Sequence, residues 1–340
     1  MTVTECPSCG EPAATGDAFC EYCGAELAPA VVSDAAPGFV RSCPVCSVAG
    51  TVLASGAPPD VTADGYCESC GRKVPTGRDH IELDLGLLVG VTDKGLRHPR
   101  NEDAMALATA TTSAGQAAIT VVCDGVSSSP RPDEASLAGA ETAVKVLLEA
   151  VRMGDDLSEA SRDAVQEAAE ALNALAGPGG APSATYVAAV AAETAVTLSW
   201  LGDSRVYWLS DTESQLLTID DSLAQEMIAS GLFDEATAMA SPQAHVITRW
   251  LGADNATPEA HVTQFEPPGP GLLLLCTDGL WNYQPEAADL ASLVMPDALA
   301  NPAGAADVLL KFALDAGGMD NITVVLVPYP LSSSRSADVS

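Results

Sequence analysis

The chain has 340 residues, with 15 Lys and Arg against 46 Asp and Glu, a formal net charge of -31. A surface that acidic repels phosphate backbones and anionic headgroups, which excludes a general nucleic-acid binder and a basic membrane footprint. At 47% hydrophobic and 18% charged residues the chain is too apolar for an acidic disordered protein, and its apolar runs are far shorter than the roughly 18 residues of a membrane span. The start, from Met1 to Cys6, carries neither the basic nor the apolar part of a secretory signal, so a cytoplasmic protein is expected.

Eight of the ten cysteines come first, as four C-x-x-C pairs. Two residues between thiolates let one tight turn present both sulfurs to an ion, and two such turns complete a tetrahedral zinc site. The natural grouping is Cys6, Cys9, Cys20 and Cys23, then Cys43, Cys46, Cys67 and Cys70. A disulfide framework or a redox pair fits poorly without a secretory signal or a βαβ context. The segments resemble zinc ribbons, at residues 1–28 and 39–77, each with one structural Zn2+. Residues 1–80 hold four basic residues (Arg41, Arg72, Lys73, Arg78) against ten acidic ones, so these modules are expected to contact protein rather than nucleic acid.

Beyond a boundary near residue 80 the texture becomes rich in Ala, Val and Leu. Strand-type runs fall at 85–91, 104–108, 117–123, 185–192, 195–201, 206–209, 261–265, 272–276 and 322–327. Helical patterns fill 133–153, 157–176, 222–230, 234–239, 286–293 and 303–316, with Ser222 and Gln225 as a capping box and a Gly/Pro break at 177–182. Strands, two long helices, strands, short helices and strands again read as α+β with mostly antiparallel sheet. The body is expected to end near 329, before a frayed tail at 330–340. Cys123 and Cys276 end apolar runs and read as buried small hydrophobes; Ser129 and Asn282 stand where a cysteine phosphatase would need arginine. His80, His245 and His261 have no evident partners and read as surface or core residues.

Five acidic positions are different, because each sits at the end of an apolar strand beside glycine or asparagine. They are Asn101-Glu102-Asp103, Asp124-Gly125, Gly202-Asp203-Ser204-Arg205, Thr277-Asp278-Gly279 and Asp320-Asn321. An ionised carboxylate there is costly without a counter-charge, and several converging ones call for hard divalent cations such as Mg2+ or Mn2+.

In that order, and with Thr92 to Gly95 ahead of them, these motifs resemble those of metal-dependent serine/threonine protein phosphatases of type 2C, over residues 85–328. The resemblance implies a four-layer αββα fold, a β-sandwich of two antiparallel sheets flanked by helices. It also implies two Mn2+ or Mg2+ ions, hydrolysis of phosphoserine or phosphothreonine in proteins by a metal-bridging hydroxide, and no phosphoenzyme. By motif position Asp124 bridges the ions, Gly125 offers its carbonyl, Asp278 and Asp320 hold one ion and Glu102 the other. Asp103 bonds metal-bound water, Asp203 with Asp278 matches a third, weaker metal position, and Asn321 supports Asp320.

Two departures stand out. His98 occupies the position of the family's phosphate-gripping arginine, with Arg97 and Arg100 beside it as substitutes. Residues 126–130, Val-Ser-Ser-Ser-Pro, replace a glycine-rich turn and its histidine, so no general acid carries over. The expected partners are phosphoproteins, and a serine/threonine kinase or its substrates; a monomer is expected. The competing reading is a catalytically weak phosphatase-like scaffold, against which the retained acids argue.

Overall fold

The computed structural model describes residues 78–252 and 258–331, together with the backbone of three short strands, β1 (Val3–Glu5), β2 (Pro12–Ala14) and β3 (Val32–Ser33). The eight paired cysteines lie outside the described residues, as do most of the spans assigned to zinc ribbons and the tail from 332 onward. β1 and β2 pair antiparallel on either side of the first C-x-x-C pair in sequence.

Two long strands, β6 (Asp103–Thr112) and β7 (Gly115–Asp124), form a hairpin in which Asp103 faces Asp124 at its open end. Their apolar residues alternate between two cores. Ala104, Ala106 and Ala108 pack under helices α1 (Pro132–Met153) and α2 (Leu157–Ala174), whereas Met105 and Leu107 face a second sheet. Because both faces are buried, the strands read as continuous apolar runs. Alanines on the helix side let α1 lie close to the sheet, and Gly139 of α1 sits over Cys123. Asp133 and Glu134 occupy the first turn of α1, Gly154 ends it in a left-handed conformation, and the Asp156 side chain caps α2 by accepting from Ser158 and Glu159 amides.

β9 (Tyr186–Ala191), β10 (Val196–Leu201) and β14 (His261–Phe265) extend this sheet in the order β14-β10-β9-β7-β6-β3. The second sheet uses β4 (His80–Asp84), β5 (Val89–Asp93), β11 (Arg205–Leu209), β12 (Gln215–Leu216), β15 (Gly271–Cys276) and β16 (Ile322–Tyr329), in the order β12-β11-β15-β16-β5-β4. All pairs in both sheets are antiparallel. On β11, β15 and β16, Val206, Trp208, Leu273, Leu275, Val325 and Val327 point to the inter-sheet core. Their neighbours pack beneath α6 (Ala287–Val294) and α7 (Pro302–Ala316) on the outer face. The result is the expected four-layer αββα sandwich.

Short elements complete the body: β8 (Ser183–Ala184) pairs with β13 (Leu251–Gly252), and α5 (Asp278–Trp281) follows β15. Between β12 and β13, α3 (Leu223–Ala229) and α4 (Glu235–Met239) share a small core around Ala224, Ala238 and Ala244. Ser222 caps α3 by accepting from the Gln225 amide at 3.4 Å, as its spacing predicts.

The span 85–91, expected as one strand, is instead the turn and the start of the second strand of a hairpin. Asp84 Oδ1 accepts from the Gly86 amide at 2.8 Å, Gly86 has φ +75°, and the chain turns back so that β4 pairs with β5. Cys123 and Cys276 are both fully buried, in separate cores, and burial pushes the Cys276 thiol far up.

Candidate metal centre

Strand register brings the five motifs to one end of the sandwich. Asp103 opens β6 opposite Asp124 at the end of β7; Arg205 pairs with Cys276 and Cys276 with Val324, which aligns Asp203, Asp278 and Asp320 on the facing sheet. The glycines after two of the acids are packing requirements. A Cβ on Gly125 would run into the carbonyl oxygens of Pro132 and Glu102, and one on Gly279 into that of Asn321. Gly125 instead donates its amide to Glu102 O at 3.0 Å, which holds β7 against the loop that carries Glu102.

The acids perturb one another. Asp124 is held well above the ordinary carboxylate range, first by burial and then by the charges of Asp103, Asp278, Asp320 and Asp203. Burial pushes Asp103 to about 8, with Asp320 and Asp278 adding to the rise while hydrogen bonds from Thr323 and Thr277 oppose it. Asp203 reaches about 8 through burial and the charges of Asp278 and Asp220, and Asp278 about 7 through burial and the charge of Asp320. Asp103 Oδ1 and Asp278 Oδ1 are buried with no hydrogen-bond donor. Crowded acids with orphaned oxygens suit divalent cations, the hard partners that would offset this repulsion. Among the described residues, no group of three or more His, Cys, Asp or Glu side chains is arranged to hold one ion.

The remaining candidates lie at the rim. Glu102 Oε1 accepts from Arg100 Nε at 2.8 Å and Oε2 from the Ser127 hydroxyl, and Arg100 reaches Asp133 at 3.1 Å. Ser127 belongs to the segment 126–130. His98 Nε2 lies 3.1 Å from Asp320 Oδ1, while Arg97 is exposed. Asn321, expected to support Asp320, acts more widely. Its side chain accepts from the Glu102 amide at 2.8 Å and donates to the carbonyls of Lys94 and Arg100 at 2.9 and 3.0 Å, pinning the whole 94–102 loop.

Sequence reasoning missed the hydroxyl layer beneath the acids. Thr277 and Thr323 both donate to Asp103 Oδ2 at 2.8 Å, Thr92 bonds Thr323, and Asn101 Nδ2 donates to Thr92. Thr185 accepts from the Asp124 amide at 3.0 Å and bonds Ser204. Their one visible sign is a hydroxyl residue inside or beside an apolar strand. Two histidines also differ from expectation: His261 bonds Asp221 at 2.8 Å and stacks on Trp200, and His80 lies between Asp93 and Glu82. Both are tied to carboxylates outside the five-acid cluster.

Arg205 of the third motif is structural. It makes a bidentate pair with Asp220 (2.9 and 2.7 Å), donates to the Tyr207 hydroxyl at 3.1 Å and lies 3.8 Å from the centre of the Trp281 ring. Both partners are under 9% exposed, so Arg205→Ala strands a buried carboxylate. A loss of about 3–5 kcal/mol in urea unfolding is expected, and a loss below about 1 kcal/mol would contradict this account.

The protein phosphatase 2C family profile matches residues 97–310, and a zinc-ribbon profile residues 3–27. The serine/threonine phosphatase stp of Listeria innocua is 37% identical over 144 residues, 42% of this chain and 55% of that protein. The phosphatase of the same name from Listeria monocytogenes is 32% identical over 228 residues, 63% of this chain and 85% of that protein. The crystal structure of the Mycobacterium tuberculosis serine/threonine phosphatase PstP/Ppp superposes with a TM-score of 0.57 at 27% identity, covering 72% of this chain and 98% of that one. With more than half of its length matched by one profile and the fold shared with solved members, this chain belongs to the protein phosphatase 2C family.

Proposed function

We propose that the chain hydrolyses phosphoserine and phosphothreonine in proteins, with Mn2+ or Mg2+ held by the five-motif acid cluster. The observation that carries this is the crowding of Asp103, Asp124, Asp203, Asp278 and Asp320, two of them with orphaned oxygens, at the strand ends. Asp124 would serve two ions, Asp278 and Asp320 would hold one, Glu102 and the Gly125 carbonyl the other, and Asp203 with Asp278 would hold a third, weaker one. Cations bound there supply Lewis-acid chemistry, lowering the pKa of water and neutralising charge on the phosphoryl oxygens.

The chain's own residues do the rest. Asp103, anchored through Oδ2 by two threonines, keeps Oδ1 available to accept a proton from water at the centre. His98 and Arg100 stand against Asp320 and Glu102 at the mouth, and we assign them together the grip on the substrate phosphate, with Arg97 outside. The buried thiols cannot serve as nucleophiles, since attack requires an accessible thiolate. A scaffold without catalysis has no use for five crowded acids.

The cysteine-rich region supports a docking or regulatory role through two four-cysteine zinc sites, with phosphoproteins and a serine/threonine kinase or its substrates as partners. We place this activity in a cytoplasmic monomer. The test is phosphate release from a phosphothreonine peptide with Mn2+ and with EDTA. Release that requires Mn2+ is expected, and equal, negligible rates in both would sink the reading. The same preparation is expected to carry about two Zn2+ per chain.

A further inference from the structure

We propose that Arg78 is a positioning residue for the acid centre, and that it ties the chain just before β4 to that centre. The inference rests on the metal-centre reading above. Arg78 lies eight residues after Cys70 and two before β4, yet it is 9% exposed. Its guanidinium donates to the Asp103 carbonyl and to the Asp133 carbonyl, both at 2.8 Å, and its own carbonyl accepts from Asn101 Nδ2 at 3.2 Å.

Each contact leads to a different part of the centre. The Asp103 carbonyl belongs to the residue whose carboxylate is held by Thr277 and Thr323. Asp133 holds Arg100 through its side chain, and Arg100 holds Glu102. Asn101 also donates to Thr92, which bonds Thr323. The buried side chain therefore joins the start of β6 to the first turn of α1, and the backbone carbonyl of the same residue holds the loop between β5 and β6. A guanidinium forks to two carbonyls at fixed angles, which an ammonium on a flexible stem reproduces poorly. Removing it leaves two carbonyls without their charge-assisted donor, and both Glu102 and Asp103 lose a support.

The test uses the full chain as wild type, Arg78→Ala and Arg78→Lys. Mn2+ binding is read by titration calorimetry, and kcat and KM on p-nitrophenyl phosphate, each with and without tens of millimolar guanidinium chloride. Arg78→Ala is expected to bind Mn2+ about tenfold more weakly and to lose kcat by a similar factor at nearly unchanged KM. Free guanidinium should restore both severalfold in Arg78→Ala and leave wild type unchanged. Wild-type Mn2+ affinity in a folded Arg78→Ala, or losses that guanidinium does not relieve, would overturn the proposal. If Arg78→Ala does not fold, Arg78→Lys decides: several-fold weaker Mn2+ binding supports it, and wild-type affinity overturns it. Wild type with no phosphatase activity would sink the functional reading alone, because the calorimetric comparison reads Arg78 independently of turnover.

Discussion

Asp124→Asn will melt at least about 2 °C above wild type when both are metal-free, and with Mn2+ it will hydrolyse a phosphothreonine peptide about a thousandfold more slowly. The two effects share one cause. Asp124 lies where burial and four other acids disfavour its charge, so without cations the ionised side chain works against the fold. Asparagine keeps the shape and removes the charge, which relieves that repulsion. It also removes the carboxylate assigned to both ions, and a thousandfold corresponds to about 4 kcal/mol of lost transition-state stabilisation. Calorimetric melting in EDTA and phosphate release with Mn2+ read the two halves. A variant that melts below wild type in EDTA, or that keeps activity within tenfold, would contradict the assignment.

Metal-free protein will lose stability as pH rises from about 5 to 8.5, and Mn2+ will restore more of it at the upper end. Asp103 and Asp203 titrate at about 8 and Asp278 at about 7 in the folded chain, against about 3.9 for a free aspartate. Between those limits the folded state binds more protons than the unfolded one. The stability these three groups contribute is therefore fully present below about pH 4 and declines until the folded-state values are passed. Mn2+ binds the ionised carboxylates, so its stabilisation grows over the same window and its binding releases protons. Melting in EDTA and in Mn2+ at pH 5.5 and 8.5 tests this. A melting temperature that rises with pH in EDTA, or an equal Mn2+ gain at both pH values, would refute it.

Much of this architecture was legible because burial leaves periodic marks. The run at 261–265 coincides with β14, and the long helix patterns coincide with α1, α2 and α7 to within two residues. The hairpin at 80–93 was hidden because β4 is exposed on alternate residues and its turn depends on a local Asp84–Gly86 hydrogen bond. β8 and β13 are two residues each, too short for any period. α5 was invisible because it is a single turn, with Gly279 packed against the Asn321 carbonyl.

The acids of the centre were legible for a physical reason: a carboxylate ending an apolar strand is an expense that a sequence shows. Their supports were not. Thr277 and Thr323 meet Asp103 across 174 and 220 residues of chain, and a threonine inside or just past an apolar strand is unremarkable until the register is known. Arg78 looked like one of a few basic residues in the N-terminal region, and only the folded body shows it reaching Asp103 and Asp133. His98 was legible as a departure, but its place against Asp320 was not.

The central claim, that these strand-end carboxylates form a divalent-cation centre, is tested most directly by anomalous diffraction at the manganese edge from crystals grown with Mn2+. The account predicts two strong peaks at ligand distance from the carboxylates of Asp124, Asp278 and Asp320, with Asp124 between them. Fully ordered side chains at these positions with no anomalous peak beside them would contradict it.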